Sequence, residues 1–184
     1  MASDSRAGEH FVDGQFLVAA PTMPDGRFSE SVILMLDHND KGAFGLIVNK
    51  SLGQGPLGAL LKGFELNVDE AAAQTDIRFY YGGPVDRGSM FVLHSTDYTG
   101  PKTRNIAGVA GMTMDLDVLQ ALAKGEGPAE LLLVLGYAGW GPGQLEREMS
   151  RGDWITAPVD PELLFDDDLE SKWQRVSDAV GVPL

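Results

Sequence analysis

Few side chains of this chain are of the kinds that do chemistry near neutral pH. The 184 residues contain three histidines, His10, His38 and His94, and no cysteine. No two of the histidines stand at metal-ligand spacing, and without cysteine there is no thiolate ligand, thiol nucleophile or disulfide. We therefore expect no metal and no cofactor. His38 falls in the turn-forming run Asp37-His-Asn-Asp-Lys-Gly42, where a solvated ring is expected. His94 falls on an extended segment, as a partly buried strand residue or as an acid–base group. No serine stands in G-x-S-x-G, and no glycine loop ends in Lys followed by Ser or Thr. Gly53-Gln-Gly-Pro-Leu-Gly58 spells G-x-G-x-x-G, but Pro56 sits inside it and no strand ending in an acid follows at the right distance. We read it as a flexible loop. Asp166-Asp-Asp168 lacks the glycine and spaced ligands of a calcium loop.

The richest stretch is Gly136-Tyr-Ala-Gly-Trp-Gly-Pro-Gly-Gln-Leu-Glu146. Its glycines let backbone approach another segment or a ligand closely. Tyr137 and Trp140 between them offer apolar walls. Gln144 and Glu148, four apart, share one face of a helix that Pro142 is suited to open. N–H groups at that helix start could hold a carboxylate or phosphate. Tight packing over a sheet and a binding pocket are both open readings.

The surrounding elements must place these groups. Leu131 to Leu135 reads as a strand buried on both faces, feeding a turn from Gly136 to Gly143 and then a helix with Leu145 and Met149 inward. Earlier come strands at Gly14 to Ala20, Ser31 to Leu36 and Ala43 to Asn49, the last two joined as a hairpin. A short helix is expected within Gly53 to Gly63, and a helical or loose acidic segment from Glu65 to Gln74. Strands follow at Ile77 to Tyr81, ending in Gly82-Gly-Pro84, at Ser89 to Ser95, and at Ile106 to Ala110. Leu116 to Lys124 forms a helix, Trp154 to Ala157 is extended, and Leu169, Trp173, Val176 and Val180 mark an amphipathic terminal helix. Hairpins followed by strand–helix alternation give one α+β domain over residues 14–184, behind a flexible N-terminal tail of residues 1–13 that includes His10.

Asp and Glu number 27 against 14 Lys and Arg, a formal charge of −13. Such a field repels nucleic acid and anionic membrane, so neither is an expected partner. No run approaches the ~18 apolar residues of a membrane-crossing helix, and the N-terminus lacks a secretory core. A cytoplasmic protein is expected.

Three segments resemble the AlgH/YqgE family of bacterial proteins. They are Gly45-Leu-Ile-Val-Asn-Lys50, Gly82-Gly-Pro-Val85 with Val92-Leu-His94, and the Gly136 to Glu146 stretch. After the first, the family commonly has proline where this chain has Ser51, so the turn there is expected to differ. The resemblance runs from about Gly14 to Gly181. It implies a mixed, strongly bent sheet, partly barrel-like, with helices packed outside. It also implies a protein of no established biochemical activity, carrying a transcriptional-regulator label derived from alginate production. The three motifs are expected to meet at one cleft for a small molecule or protein, lined by Asn49, Gly82, Gly83, Pro84, His94, Tyr137, Gly139, Trp140, Gln144 and Glu148. We expect a binding or regulatory protein that acts indirectly. The alternative is an enzyme on a small metabolite, anionic ones included, with Glu148, Glu146 or His94 as acid or base.

Overall fold

The structure is a computed structural model that describes residues 11–63, 65 and 70–182. The expected tail as far as His10, and residues 66–69 of the acidic segment, lie outside the described residues.

Strand β9 (Leu131–Trp140) is the spine, and it is longer than its sequence suggests. The chain does not turn at Gly136. That glycine takes φ +74°, a conformation most residues avoid, and bends the strand without ending it. On one side β9 pairs antiparallel with β6 (Val85–His94), whose register shifts between Val85 and Met90, around the bend. On the other side it first pairs parallel with β5 (Asp76–Tyr81), from Phe79↔Leu133 to Tyr81↔Leu135. Past the bend it pairs antiparallel with β3 (Gly42–Ile47), from Gly45↔Ala138 to Ala43↔Trp140. One strand thus serves two partners along the same edge. Gly82 sits at the fork: its N–H donates to the Leu135 carbonyl (2.8 Å) and its own carbonyl accepts from Ile47 N–H (2.9 Å).

Beyond β3 the sheet continues through β2 (Val32–Asn39) and β1 (Phe16–Ala19) to β10 (Trp154–Ala157); beyond β6 lie β8 (Ala110–Thr113) and β7 (Arg104–Ile106). The result is a single α+β domain whose mixed sheet curls strongly into a half barrel. Side-chain alternation divides its core, since successive strand residues face opposite ways. Phe16, Val18, Leu34, Leu46 and Val134 pack on one side with Leu164 of α5 (Pro161–Phe165) and Val176 of α6 (Leu169–Ala179). Leu17, Ile33, Ile47 and Ala138 pack on the other with Leu145 of α4 (Gln144–Ser150). A third cluster gathers α1 (Leu57–Gly63), with the short α2 (Glu70–Ala73) beside it, and α3 (Asp117–Ala123) over β5, β6 and the start of β9.

Four details differ from the sequence reading. Gly53 to Pro56 is no loop: β4 (Ser51–Pro56) pairs with β5 from Ser51↔Tyr80 to Pro56↔Asp76, with Pro56 at the strand end, where a missing N–H is tolerated. Ile106 to Ala110 is the turn of the β7–β8 hairpin and not one strand, with Ala107 and Gly108 at positive φ. The ordered fold takes in Val12, two residues ahead of Gly14, at 3% exposure. Finally, the inward face of α6 carries Lys172, fully buried, its Nζ donating to the Leu164 carbonyl (2.9 Å) and, at a long 3.4 Å, to that of Val48.

Candidate functional site

Past its bend, β9 turns Trp140 toward α4, and the two are joined by a carboxylate. Glu148 Oε2 accepts from the indole N–H of Trp140 (2.9 Å) and from that of Trp154 on β10 (2.8 Å). Its other oxygen accepts from the Gln144 amide (3.0 Å), whose carbonyl oxygen accepts from Gly141 N–H (3.0 Å). Spacing explains the arrangement. Residues 144 and 148 stack on one helix face, and the turn Gly141–Gly143 folds α4 back against the strand it has just left. Gly143 at φ +68° makes that reversal, so Pro142 lies in the turn and not in the helix. Two N–H groups at this turn are engaged within the chain: Gly141 N–H by Gln144, and Gln144 N–H by the Gly141 carbonyl (3.1 Å).

Phe28, from the short 3₁₀ turn Gly26–Phe28, completes an aromatic group. It stacks on Trp140 at 6.4 Å and meets Trp154 edge-on at 5.6 Å, while the two indoles lie 5.9 Å apart and nearly perpendicular. Beside this group opens a hollow of about 220 Å³, reached by Pro84, Gly139, Gln144 and Glu148. Two ion pairs rim it, Arg27–Asp25 (2.8 Å) and Arg151–Asp153 (2.6 Å). The Arg27 guanidinium, hydrogen-bonded to Asp25, holds that carboxyl below the usual range. Across Gly139 a shallower hollow of about 460 Å³ is lined by Asp37, Asn39, Lys41, Phe44 and Tyr137. Val85, Gly139 and Trp140 border both hollows.

Of the residues expected at one cleft, Pro84, Gly139, Trp140, Gln144 and Glu148 come together, with Tyr137 on the far side of Gly139. Gly82 and Gly83 lie beneath, as backbone packing. A Cβ on Gly82 would stand 2.2 Å from the Gly136 carbonyl oxygen, and one on Gly83 only 2.1 Å from the Tyr137 carbonyl carbon.

Asn49 and His94 do not join them. Asn49 is a clamp: its amide oxygen accepts from Val32 N–H (2.9 Å) and its nitrogen donates to the Glu30 carbonyl (2.8 Å), which ties down the loop before β2. His94 pairs with Leu131 at the opposite end of β9 from Trp140, nine residues or roughly 30 Å along the strand at ~3.3 Å per residue. It is fully buried between the Ser95 carbonyl and the Thr113 hydroxyl, both at 3.0 Å, with Tyr98 edge-on. His38 is not solvated either. It is 3% exposed at the end of β2, its Nδ1 accepting from Val12 N–H (3.1 Å) and its Nε2 facing Glu146 (2.8 Å). An Nδ1 that accepts carries no proton, so the proton sits on Nε2 and is donated to the carboxylate. Burial opposes the charge on Glu146, but its own backbone N–H and the His38 ring outweigh that and hold its carboxyl below the ordinary glutamate range.

Sequence reasoning missed Phe28 and Trp154 at the site. Trp154 follows Glu148 by six residues, and an indole N–H that close to a helix-face carboxylate was a usable signal. Phe28 sits among turn residues with no periodicity to mark it.

Glu148 is central to the cluster, and its removal can be measured. Glu148→Ala leaves two indole N–H groups unpaired on side chains only 7% and 4% exposed. We expect a loss of about 2 kcal/mol, read as a lower urea midpoint at unchanged slope. An unchanged midpoint would show that the carboxylate does not hold the cluster.

Comparison with known proteins finds relatives of the whole chain. The AlgH-like family profile matches residues 16–184. A UPF0301 protein of Methylococcus capsulatus is 47% identical over 177 residues, covering 96% of each chain. One from Cereibacter sphaeroides is 44% identical over 172 residues, covering 93% of this chain and 92% of its own. The solution structure of the AlgH protein from Pseudomonas aeruginosa superposes with a TM-score of 0.78 at 36% identity, covering all of this chain and 94% of that one. A crystal structure from Corynebacterium diphtheriae gives 0.72 at 26% identity, over 96% and 90% of the two chains.

Proposed function

The chain belongs to the AlgH-like family, and from that premise and the site geometry we propose that it is a cytoplasmic binding protein of regulatory type, whose ligand enters the cleft between Pro84, Trp140 and Glu148. The observation that carries this reading is the convergence of three aromatic rings and a carboxylate they anchor on one partly enclosed hollow, which meets a wider one across Gly139. Rigid walls and pre-satisfied polar groups favour binding, because little has to be ordered when a guest arrives. An acid–base role is less well supported. Glu148 accepts three hydrogen bonds, Glu146 is paired with His38, and His94 lies at the far end of the sheet. Among the described residues no helix is long and apolar enough to cross a membrane.

The test is a thermal-shift screen of a metabolite library, repeated with Gln144→Ala. Gln144 is exposed, so the variant should melt within a degree or two of the parent while weakening any ligand of the cleft. Hits indifferent to Gln144→Ala would place binding elsewhere. A large fall in melting temperature would mean the stretch serves packing alone.

Regulation through this protein would be indirect. The −13 charge opposes contact with DNA. Pure protein should give no sequence-specific gel shift at physiological salt, and a shift of sub-micromolar affinity would overturn that expectation.

A further inference from the structure

We propose that the wider hollow beside the cleft binds a free α-amino acid with an apolar side chain, its ammonium on Asp37, its carboxylate on Lys41 and its side chain over the bare backbone of Gly139. This goes beyond the cleft reading above, which concerns the smaller hollow on the other side of Gly139.

Asp37 reaches that hollow through an irregularity in its strand. Along β2, Ile33 and Met35 pack on the α4 side of the sheet, while Leu34 and Leu36 pack on the other. By simple alternation Asp37 would follow Met35. The register against β3 shifts between Met35 and Asp37, so Leu36 is an extra residue and Asp37 stands opposite Phe44. Directly opposed residues share a face, and Phe44 packs with the cluster that holds Leu34 and Leu36. The bulge therefore turns Asp37 away from α4 and onto the face of the hollow, as bulges re-aim side chains elsewhere. Leu36 has no partner in the β3 register, and its carbonyl accepts from the Arg104 guanidinium instead (2.7 Å).

There Asp37 is half-buried and in no ion pair among the described residues, with one long contact from the Asn39 amide (3.4 Å). Lys41 is exposed, lines the same hollow and is likewise in no ion pair among the described residues. Its backbone is pinned, since Lys41 N–H donates to Asn39 Oδ1 (2.9 Å). Two opposite charges that line one space without reaching each other match a guest that carries both. A guest with one charge alone would set it against the like-charged residue. An ammonium brings Asp37 charge-assisted donors, and a carboxylate brings Lys41 an acceptor. The rest of the floor is apolar. Phe44 and Tyr137 meet edge-on at 5.4 Å, and Phe44 is paired with Gly139, which adds no side chain. Asp37, Phe44 and Gly139 form one row across three strands, about 10 Å from end to end at ~4.8 Å per strand. At about 460 Å³ the hollow suits one small amino acid laid along that row.

The test titrates the full chain with leucine, methionine and phenylalanine, read by the backbone amide resonances of Phe44 and Gly139. Each is compared with its amide, which lacks the carboxylate, and with its deaminated acid, which lacks the ammonium. The proteins are the parent, Asp37→Asn, Lys41→Met and Gln144→Ala. We expect saturable binding of at least one amino acid, weakened about tenfold or more by Asp37→Asn, since a hydrogen bond to a charged group is worth that much. Lys41→Met should weaken it about two- to fivefold, as befits an exposed pair. The deaminated acid should bind about tenfold worse than the amino acid to the parent and no worse to Asp37→Asn. Gln144→Ala, which alters only the smaller hollow, should leave amino-acid binding unchanged. If none of the three amino acids binds, the proposal falls, while a metabolite that needs Gln144 would keep the cleft reading standing. Binding undiminished in Asp37→Asn, or a deaminated acid that binds the parent as well as its amino acid, would also overturn it. Should Asp37→Asn not fold, the comparison of analogues on the parent decides alone.

Discussion

Gly83→Ala is expected to destabilise the domain by on the order of 4–5 kcal/mol, enough to unfold a marginally stable protein. The cause is local and severe. Gly83 has φ +152°, and its Cβ would fall 2.1 Å from the Tyr137 carbonyl carbon and 2.4 Å from the Ala138 nitrogen. These are backbone atoms of the spine strand at its bend. They can yield only by breaking the ladder that joins β9 to its neighbours. The matched control is Gly55→Ala on β4, where a Cβ meets nothing within 4 Å. That variant should be neutral or slightly more stable. Urea unfolding of both decides the matter. If Gly83→Ala costs less than about 1 kcal/mol, the fork is looser than its geometry implies.

The second large effect is a rise of stability with pH. Burial lowers the Lys172 pKa from its ordinary 10.5 to about 8, Asp166 pulling the other way and Arg175 adding to the fall. Between pH 8 and 10.5 the unfolded chain keeps this proton and the folded one releases it. Stability therefore increases with pH across that window, by up to about 3 kcal/mol, and the full penalty is present below pH 8. The buried phenol of Tyr80, its pKa raised above 10 by burial, acts oppositely, but only above pH 10. Urea midpoints at pH 7, 8, 9 and 10 isolate the lysine. Lys172→Met should match or exceed the parent's stability at pH 7, because an apolar side chain replaces a desolvated charge. It should also lack the rise. Parallel curves for parent and variant would refute the assignment.

How much of this was legible depended on which physical signal each residue carried. The buried run from Leu131 and the periodicity of Leu169, Trp173 and Val176 announced a central strand and a packed terminal helix. The pairing of Gln144 with Glu148 followed from helical spacing, and the meeting of Pro84 with Trp140 from their places at the ends of neighbouring strands. The bend at Gly136 was read as a stop. A glycine at positive φ ends most strands, and only the second partner waiting beyond it lets this one continue. Asn49 and His94 misled for a common reason. Both carry groups fit for ligand chemistry, and both use them on neighbouring chain atoms that one-dimensional spacing cannot display. His38 looked solvated because its neighbours are turn formers, while the strand ran on through it.

The forked spine also fixes the order of events on the ribosome. The strands β1, β2 and β3 leave the exit tunnel first, yet their closing partners are Trp140 on one side and Trp154–Ala157 on the other. At a synthesis rate of ~5–20 residues per second, the β3 edge stays unpaired for roughly 5–20 seconds until the far end of β9 emerges. Nascent chains stalled before residue 140 should therefore expose the Ala43–Gly45 edge to holdase chaperones, and chains stalled after residue 157, with their C-termini clear of the tunnel, should not.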